Sequence, residues 1–490
     1  MAGGGLLPGA GGLPRAPELP GWAWAALGGA AAGAAAAGLA AAVAARRRRR
    51  ARARGGGAAG GGGRLPGDLA GRAAGSEKML SYLPNFLRAL EDQHGPGNPD
   101  GHVILCVAEN KLSCHLLRER LLLQKDLPMQ AFGYDSMAGV ERFRVALAKF
   151  FNASLMRGAA VSDVDVFVSG GCGPIIDKVS FLLCARGDGV LIPAPYYPAF
   201  DFDLVARNRC VPVPVETAGT VPTPADLERA AAGAEARGVP LRVLLLTNPN
   251  NPYGIVYPEE AVRELLAWGI GKGLHVICDE IYGLSQFGGP PFVSALSVAP
   301  SLYGRFGQGV VDDHLHVLWG FSKDFCASGF RVGCCVSRNR RLHDKLGNVG
   351  YFSAASNITQ YALASLLEDA HFVQKFLKEN AHRLSVSYRK LTAALVAAGI
   401  PFVEATASIF MVIDLRRGLR AGTWEAEKEL WDRIAEEGKV LLTPGFDMHF
   451  KEPGFFRVCY AWVPPGSLPL AVSRIKGILD QVEASKEERI

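Results

Sequence analysis

One lysine and one arginine stand eight residues apart in the stretch Leu318-Trp-Gly-Phe-Ser-Lys323-Asp-Phe-Cys-Ala-Ser-Gly329-Phe-Arg331-Val-Gly333, among small residues that let a backbone approach a ligand closely. A lysine at the end of an apolar run can form a Schiff base through its amine. Four segments upstream carry groups that such chemistry uses. Ser169-Gly170-Gly171-Cys172-Gly173-Pro174 precedes an apolar helical run, so successive amides can face an anion with the helix dipole behind them. Pro193-Ala-Pro195-Tyr196-Tyr197-Pro198 offers an aromatic that can stack on a flat ring. In Thr247-Asn248-Pro249-Asn250-Asn251-Pro252-Tyr253-Gly254 the prolines restrict the residues before them, which helps to hold an asparagine amide in place. Cys278-Asp279-Glu280-Ile281-Tyr282 carries an aspartate whose burial is costly unless a cation pairs with it, and a protonated pyridine nitrogen is such a cation.

Each segment alone has an ordinary reading: a solvated strand end, a Gly-rich turn, a Pro-Tyr turn, an Asn-Pro turn, a helix N-cap. Their conjunction is harder to reach by chance. Anion loop, aromatic, asparagine, aspartate and lysine, at five consecutive strand ends, describe a pyridoxal phosphate site.

The elements that must position these groups show in the apolar periodicity. Val164–Val168, Gly189–Pro193, Leu241–Thr247, His275–Cys278 and His314–Leu318 are runs of strand length, separated by stretches long enough for crossover helices. A later strand is expected to carry Arg331. Such alternation predicts an α/β fold with a mostly parallel sheet between helices, whose ligands collect beyond the carboxyl ends of the strands. Val103–Val107 reads as a further short strand and Val140–Phe151 as a helix. Helical periodicity also covers Phe372–Ala398 and Trp424–Gly438. With these, Phe402-Val403, Ser408–Ile413, Val440–Leu442 and Phe455–Tyr460 look like strands of a smaller α+β domain built from N- and C-terminal segments. The expected organisation is a low-complexity segment at 1–75, a small-domain part at 76–128, a large cofactor-binding domain at 129–365 and the rest of the small domain at 366–490.

The chain has 490 residues, 49% hydrophobic and 20% charged, which suits a globular protein of two or three domains. Much of the net charge of +6 sits in Arg46–Arg50, Arg52 and Arg54; the remainder is close to neutral and gives no chain-wide basic surface for nucleic acid. Ten cysteines without a C-x-x-C pair or His/Cys metal spacing fit a reducing compartment and no metal. Before the arginine block lies an Ala-dominated apolar run, Gly21–Ala45, and after it a Gly-rich stretch, Gly55–Gly63. Three readings stay open for this segment: a low-complexity arm, a membrane anchor that leaves the body in the cytosol, and a mitochondrial presequence. A fusion of residues 1–75 to a fluorescent protein tests the anchor, which diffuse cytosolic signal would remove.

The order of motifs from about residue 80 to 485 resembles the fold-type I, class I/II aminotransferase family of pyridoxal phosphate enzymes. Ala108-Glu-Asn-Lys-Leu112, Ser322-Lys-Asp324, Gly329-Phe-Arg-Val-Gly333 and Lys451-Glu-Pro-Gly-Phe-Phe-Arg457 resemble most the branch of 1-aminocyclopropane-1-carboxylate synthases and the animal synthase-like proteins. The resemblance implies that Lys323 holds pyridoxal 5'-phosphate and removes the substrate's alpha proton, and that Asp279 keeps the ring nitrogen protonated. It implies that Asn251 and Tyr282 donate to the ring oxygen, and that Tyr197, or Tyr196 beside it, stacks on the ring. The phosphate falls to the Cys172 and Gly173 amides, Ser322 and Arg331, and the substrate carboxylate to Arg457. Glu109 matches a glutamate of the synthase branch. Tyr134 is expected to reach the phosphate of a partner subunit, which implies a homodimer with shared sites.

Three departures stand out: Gly320 where the family usually has a phosphate-binding serine, Cys172-Gly173 where a hydroxyl residue is common, and Met137 where plant synthases carry a tyrosine. The expected function is an enzyme acting on alpha-amino acids, by transamination or by elimination or ring closure at the gamma carbon. The alternative is a weak or inactive cofactor-binding homologue with a scaffolding or membrane-associated role.

Overall fold

The computed structural model describes residues 80–122 and 127–487. The low-complexity segment 1–75, with its apolar run and arginine block, lies outside them. The described residues fall into two compact units. Residues 87–101 belong to one, in which Gly95 and Asn98 form an antiparallel bridge. Residues 80–86, 102–122 and 127–487 make the other and hold every strand. Among the described residues no helix is long and apolar enough to cross a membrane.

The strands in chain order are β1 (Val103–Ile104), β2 (Val166–Ser169), β3 (Gly189–Ala194), β4 (Val211–Glu216), β5 (Leu241–Thr247), β6 (His275–Asp279), β7 (Leu315–Gly320), β8 (Gly333–Ser337), β9 (Phe410–Asp414), β10 (Val440–Leu441), β11 (Thr443–Pro444) and β12 (Phe455–Cys459). A seven-stranded sheet runs β2-β8-β7-β6-β5-β3-β4. Its neighbours pair in parallel except where β8 lies antiparallel to β2 and β7. This is the mostly parallel α/β sheet that the alternating apolar runs require. Both faces are dry: Leu191, Leu244, Leu246, Val276 and Val317 join one core cluster, and Val190, Ile192, Val243, Leu245, Ile277 and Leu318 join another. Alternate residues of a strand point to opposite faces, so continuous apolar runs rather than alternating ones fill both.

The smaller sheets draw mostly on the C-terminal part of the chain. β9, β12 and β11 form an antiparallel sheet, and β10 pairs in parallel with β1, so an N-terminal segment is stitched to a C-terminal one.

The structure corrects several boundaries. β1 is only two residues long, not Val103–Val107. β2 starts at Val166 because Asp163–Asp165 forms a 3-10 turn, in which Asp165 accepts the Ser162 amide at 2.9 Å. β4 was not expected from the sequence. It is an edge strand, a place where Pro212 and Pro214 cost no ladder bonds to a second neighbour. Arg331 is not on a strand; it precedes β8 in the left-handed region, with φ 53°. Phe402 makes a single bridge to Ile413 rather than a strand.

Candidate active site

Five segments that follow β2, β3, β5, β6 and β7 meet around a cavity of ≈ 740 Å³. Nine residues singled out in the sequence line it: Cys172, Gly173, Tyr197, Asn251, Asp279, Tyr282, Ser322, Lys323 and Arg331.

After β2 the chain turns at Gly171, with φ 112°, into the Cys172–Leu183 helix. A Cβ at Gly171 would lie 2.6 Å from Arg331 Nη2, so only glycine lets the guanidinium close on the helix N-terminus. Free amides and a guanidinium thus share one corner, and Pro174 in the first turn lacks an N–H that would have no partner there. Arg331 reaches this corner from its left-handed turn, and its Nη1 donates to Ser328 O at 2.9 Å.

After β3 the two tyrosines part. Tyr196 is 1% exposed, donates its hydroxyl to Asp201 Oδ1 at 2.7 Å and stacks on His449. Tyr197 faces the cavity, where burial, with Asp203 next, pushes its hydroxyl up to about 12. After β5, Asn248 Oδ1 accepts the Tyr257 amide at 2.8 Å and Asn250 donates to the Tyr257 hydroxyl at 2.8 Å. Those two asparagines knit the loop to itself and leave Asn251 for the cavity.

Asp279 ends β6 and is 6% exposed. Burial pushes its carboxyl up to about 7; the Ile281 amide, bound at 3.3 Å, and Lys323 pull the other way. No lysine or arginine among the described residues pairs with it, so it is an acid short of a cation. Tyr282 follows it into the wall, its ring edge-on to Phe410.

β7 ends at Gly320, and the short Phe321–Asp324 helix presents Lys323. Asp324 anchors that turn: it accepts Ser285 Oγ at 2.7 Å, Trp319 Nε1 at 2.9 Å and the Leu284 amide at 3.1 Å. The Lys323 amine donates to Ala108 O, and burial holds it below its ordinary value, with Glu109 pulling it back up. Glu109 accepts the Ser328 hydroxyl.

Arg457, on β12, is fully buried and is not a lining residue; it reaches the cavity through Asn251, whose Oδ1 accepts its Nη1 at 3.0 Å. Its Nη2 donates to Cys106 O and Thr443 Oγ1, both at 3.1 Å, and its Nε has no partner. Among the described residues it has no carboxylate to neutralise it. Tyr134 lies apart: it is 99% exposed and borders a different cavity with Met137 and Tyr351.

Gly320, where a serine was expected, has a packing reason. A Cβ there would lie 3.1 Å from Val332 O and 3.2 Å from Cys172 Sγ. The Cys172 thiol and the backbone ahead of β8 fill the space that a hydroxymethyl group would need. Gly320→Ser is therefore expected to destabilise the protein by about 1 to 3 kcal/mol, the range for overpacking a close-fitted site; thermal unfolding of the variant checks this.

Sequence reasoning missed Asp203, which lines the cavity near Gly173. Burial, then Asp177 and Asp279, pushes its carboxyl up to about 7. It also missed Thr443 and the Cys106 carbonyl as partners of Arg457: the strand pairing Thr443↔Arg457 brings the first, and the Leu105 bonds to Leu441 and Cys459 bring the second.

The chain's similarity to known proteins agrees with this geometry. A family model described as aminotransferase class I and II matches residues 101–475. The 1-aminocyclopropane-1-carboxylate synthase 6 of Arabidopsis thaliana is 32% identical over 424 residues, covering 84% of this chain and 84% of that protein. The corresponding synthase 4 of Oryza sativa subsp. japonica is 34% identical over 415 residues, covering 78% and 83%. The fold is shared with aspartate aminotransferase of Thermus thermophilus with maleate, at 21% identity and TM-score 0.69, covering 84% of this chain and 100% of that one. The aspartate aminotransferase of Rhizobium meliloti gives 22% identity and TM-score 0.70, over 84% and 99%.

Proposed function

The chain belongs to the class I and II aminotransferase family and is a pyridoxal phosphate-dependent enzyme, a transferase or lyase acting on alpha-amino acids; on that premise we propose how its residues divide the work. The observation that carries this reading is the single cavity that gathers Lys323, Asp279 and the Gly171–Gly173 corner with Arg331. These residues fit the cofactor. The corner offers free amides and a cation for a phosphate, and Asp279 lacks the cation that a pyridinium supplies.

When bound, the cofactor supplies an electron sink for negative charge at the substrate's alpha carbon. The chain does the rest. Lys323 holds the cofactor and takes the alpha proton at Nζ, a role that its lowered basicity favours. Asp279 holds a proton on the ring nitrogen, and Asn251 and Tyr282 donate to the ring oxygen. Tyr197 backs the ring, and the Cys172 and Gly173 amides, Ser322 and Arg331 take the phosphate. Arg457 takes the substrate carboxylate, the anion that its buried charge and unpaired Nε lack. Glu109, beside Lys323, borders the substrate.

Retention of all these groups in one place disfavours the reading as an inactive homologue. Incubation with a panel of amino acids plus a keto acid, and separately with S-adenosylmethionine, tests the function. A keto acid product assigns transamination, and a cyclopropane or vinylglycine-type product assigns lyase chemistry. No turnover on either arm overturns the reading.

We also propose a homodimer. Met129, Phe132, Tyr134, Tyr351 and Phe352 are each at least 66% exposed, and Phe352 lines the cavity itself. Exposed aromatics in one region mark an interface, and Tyr134 within it is placed to serve a partner's site. Light scattering should give the mass of two chains; a monomer would contradict the proposal.

A further inference from the structure

We propose that Glu427 is a positioning residue for substrate binding, a buried carboxylate that closes the neck of the hairpin bearing Arg457. The inference rests on the reading above, that Arg457 takes the substrate carboxylate. β11 and β12 pair Thr443 with Arg457 and Pro444 with Phe456, and residues 445–454 form the loop between them. Glu427 projects from the Trp424–Glu436 helix into the base of that loop. Its Oε1 accepts the Phe446 amide at 2.8 Å and its Oε2 accepts the Gly454 amide at 2.5 Å. One carboxylate therefore ties the first turn of the loop to the last. A Cβ at Gly445 would lie 2.6 Å from Phe455 O and 3.2 Å from both carboxylate oxygens, so glycine at that position admits the β12 backbone and the carboxylate together.

Glu427 is fully buried and forms no ion pair among the described residues. An acid buried without a cation is stabilised by the amides that it accepts, and those amides belong to the two ends of one loop. Burial is costly enough to push its carboxyl up to about 7 against them.

The loop it closes touches the candidate site from two sides. Met448 O accepts the Tyr196 amide at 3.0 Å, and the His449 ring stacks on Tyr196 while Nε2 bonds Asp201 Oδ2 at 2.9 Å. That joins the loop to the segment presenting Tyr197. Phe450 stacks on Phe455 at 5.4 Å and meets Tyr253 edge-on at 6.0 Å. That joins it to the loop presenting Asn251, which Arg457 holds directly. Fixing the neck fixes the strand of Arg457 against both walls.

The test is steady-state kinetics of the full-length holoenzyme on the amino acid that it turns over fastest. Glu427→Gln keeps the volume but turns an NH₂ toward one of the two amide donors, so one neck bond is lost. KM for the amino acid should rise about 10-fold with kcat changed less than about threefold, and a competing carboxylate inhibitor should weaken in step. Capture of pyridoxal phosphate on Lys323 under borohydride should be unchanged. Glu427→Asp, which keeps the charge but is too short to reach both the Phe446 and Gly454 amides, should move KM in the same direction. Glu429→Gln, on the exposed side of the same helix, should leave KM alone. An unchanged KM in Glu427→Gln and Glu427→Asp overturns the proposal. So does a joint fall in kcat, cofactor capture and melting temperature, since that pattern marks a purely structural residue. Arg457→Lys separates the two levels: if it leaves carboxylate affinity unchanged, the underlying reading fails; if it weakens affinity while Glu427→Gln does not, only this inference fails.

Discussion

Turnover by the Lys323→Ala variant should fall by about 10²- to 10⁴-fold, the range that a positioned proton-transferring side chain contributes. The loss should not come from unfolding. The Phe321–Asp324 turn is held by Asp324, through Trp319, Ser285 and Leu284, and none of those bonds involves Lys323. The lysine is an expense to the fold: burial opposes its charge and pulls its basicity down. Alanine removes that cost, so the melting temperature of the cofactor-free variant should hold or rise while activity is lost. A fall in activity accompanied by an equal loss of folded protein would instead make Lys323 a structural residue.

The second large effect belongs to Arg457. Arg457→Lys should raise KM for carboxylate-bearing substrates by about 10- to 100-fold, equivalent to a loss of about 1.5 to 3 kcal/mol of charge-assisted hydrogen bonding. The geometry explains why lysine cannot stand in. The guanidinium spans Asn251 on one side and Thr443 with the Cys106 carbonyl on the other, and it lies 4.9 Å over the Phe410 ring. An ammonium is a point charge and cannot hold both sides while gripping a planar carboxylate. Unchanged affinity for carboxylate substrates would show that Arg457 has another role.

How much of this was legible in the sequence depended on distance along the chain. Residues at strand ends announced themselves, because a parallel sheet lines up its carboxyl ends and the apolar runs mark where each strand stops. That is why Asp279 at the end of β6 and Lys323 after β7 could be read together though far apart in sequence. The tyrosine pair was less decisive: Tyr196 and Tyr197 are chemically alike, and only the positions of Asp201 and His449 show which is engaged elsewhere. Strand β4 hid behind Pro212 and Pro214, tolerated because it is an edge. Gly320 read as a lost ligand, whereas packing shows a site already filled by the Cys172 thiol. The Glu427 clamp had no local signal at all, since its partners Phe446 and Gly454 come to it only through the β11–β12 hairpin.

The measurement that tests the central claim most directly is borohydride reduction of the protein after incubation with pyridoxal 5'-phosphate across a pH series, read by peptide mass. The neutral amine is the nucleophile, and a lysine whose basicity is lowered is neutral at a lower pH than an exposed one. The pyridoxyl increment should therefore appear on the peptide containing Lys323, with a capture midpoint below the ordinary lysine value of 10.5. An increment absent from that peptide and spread over surface lysines, or a midpoint at 10.5, would contradict the account.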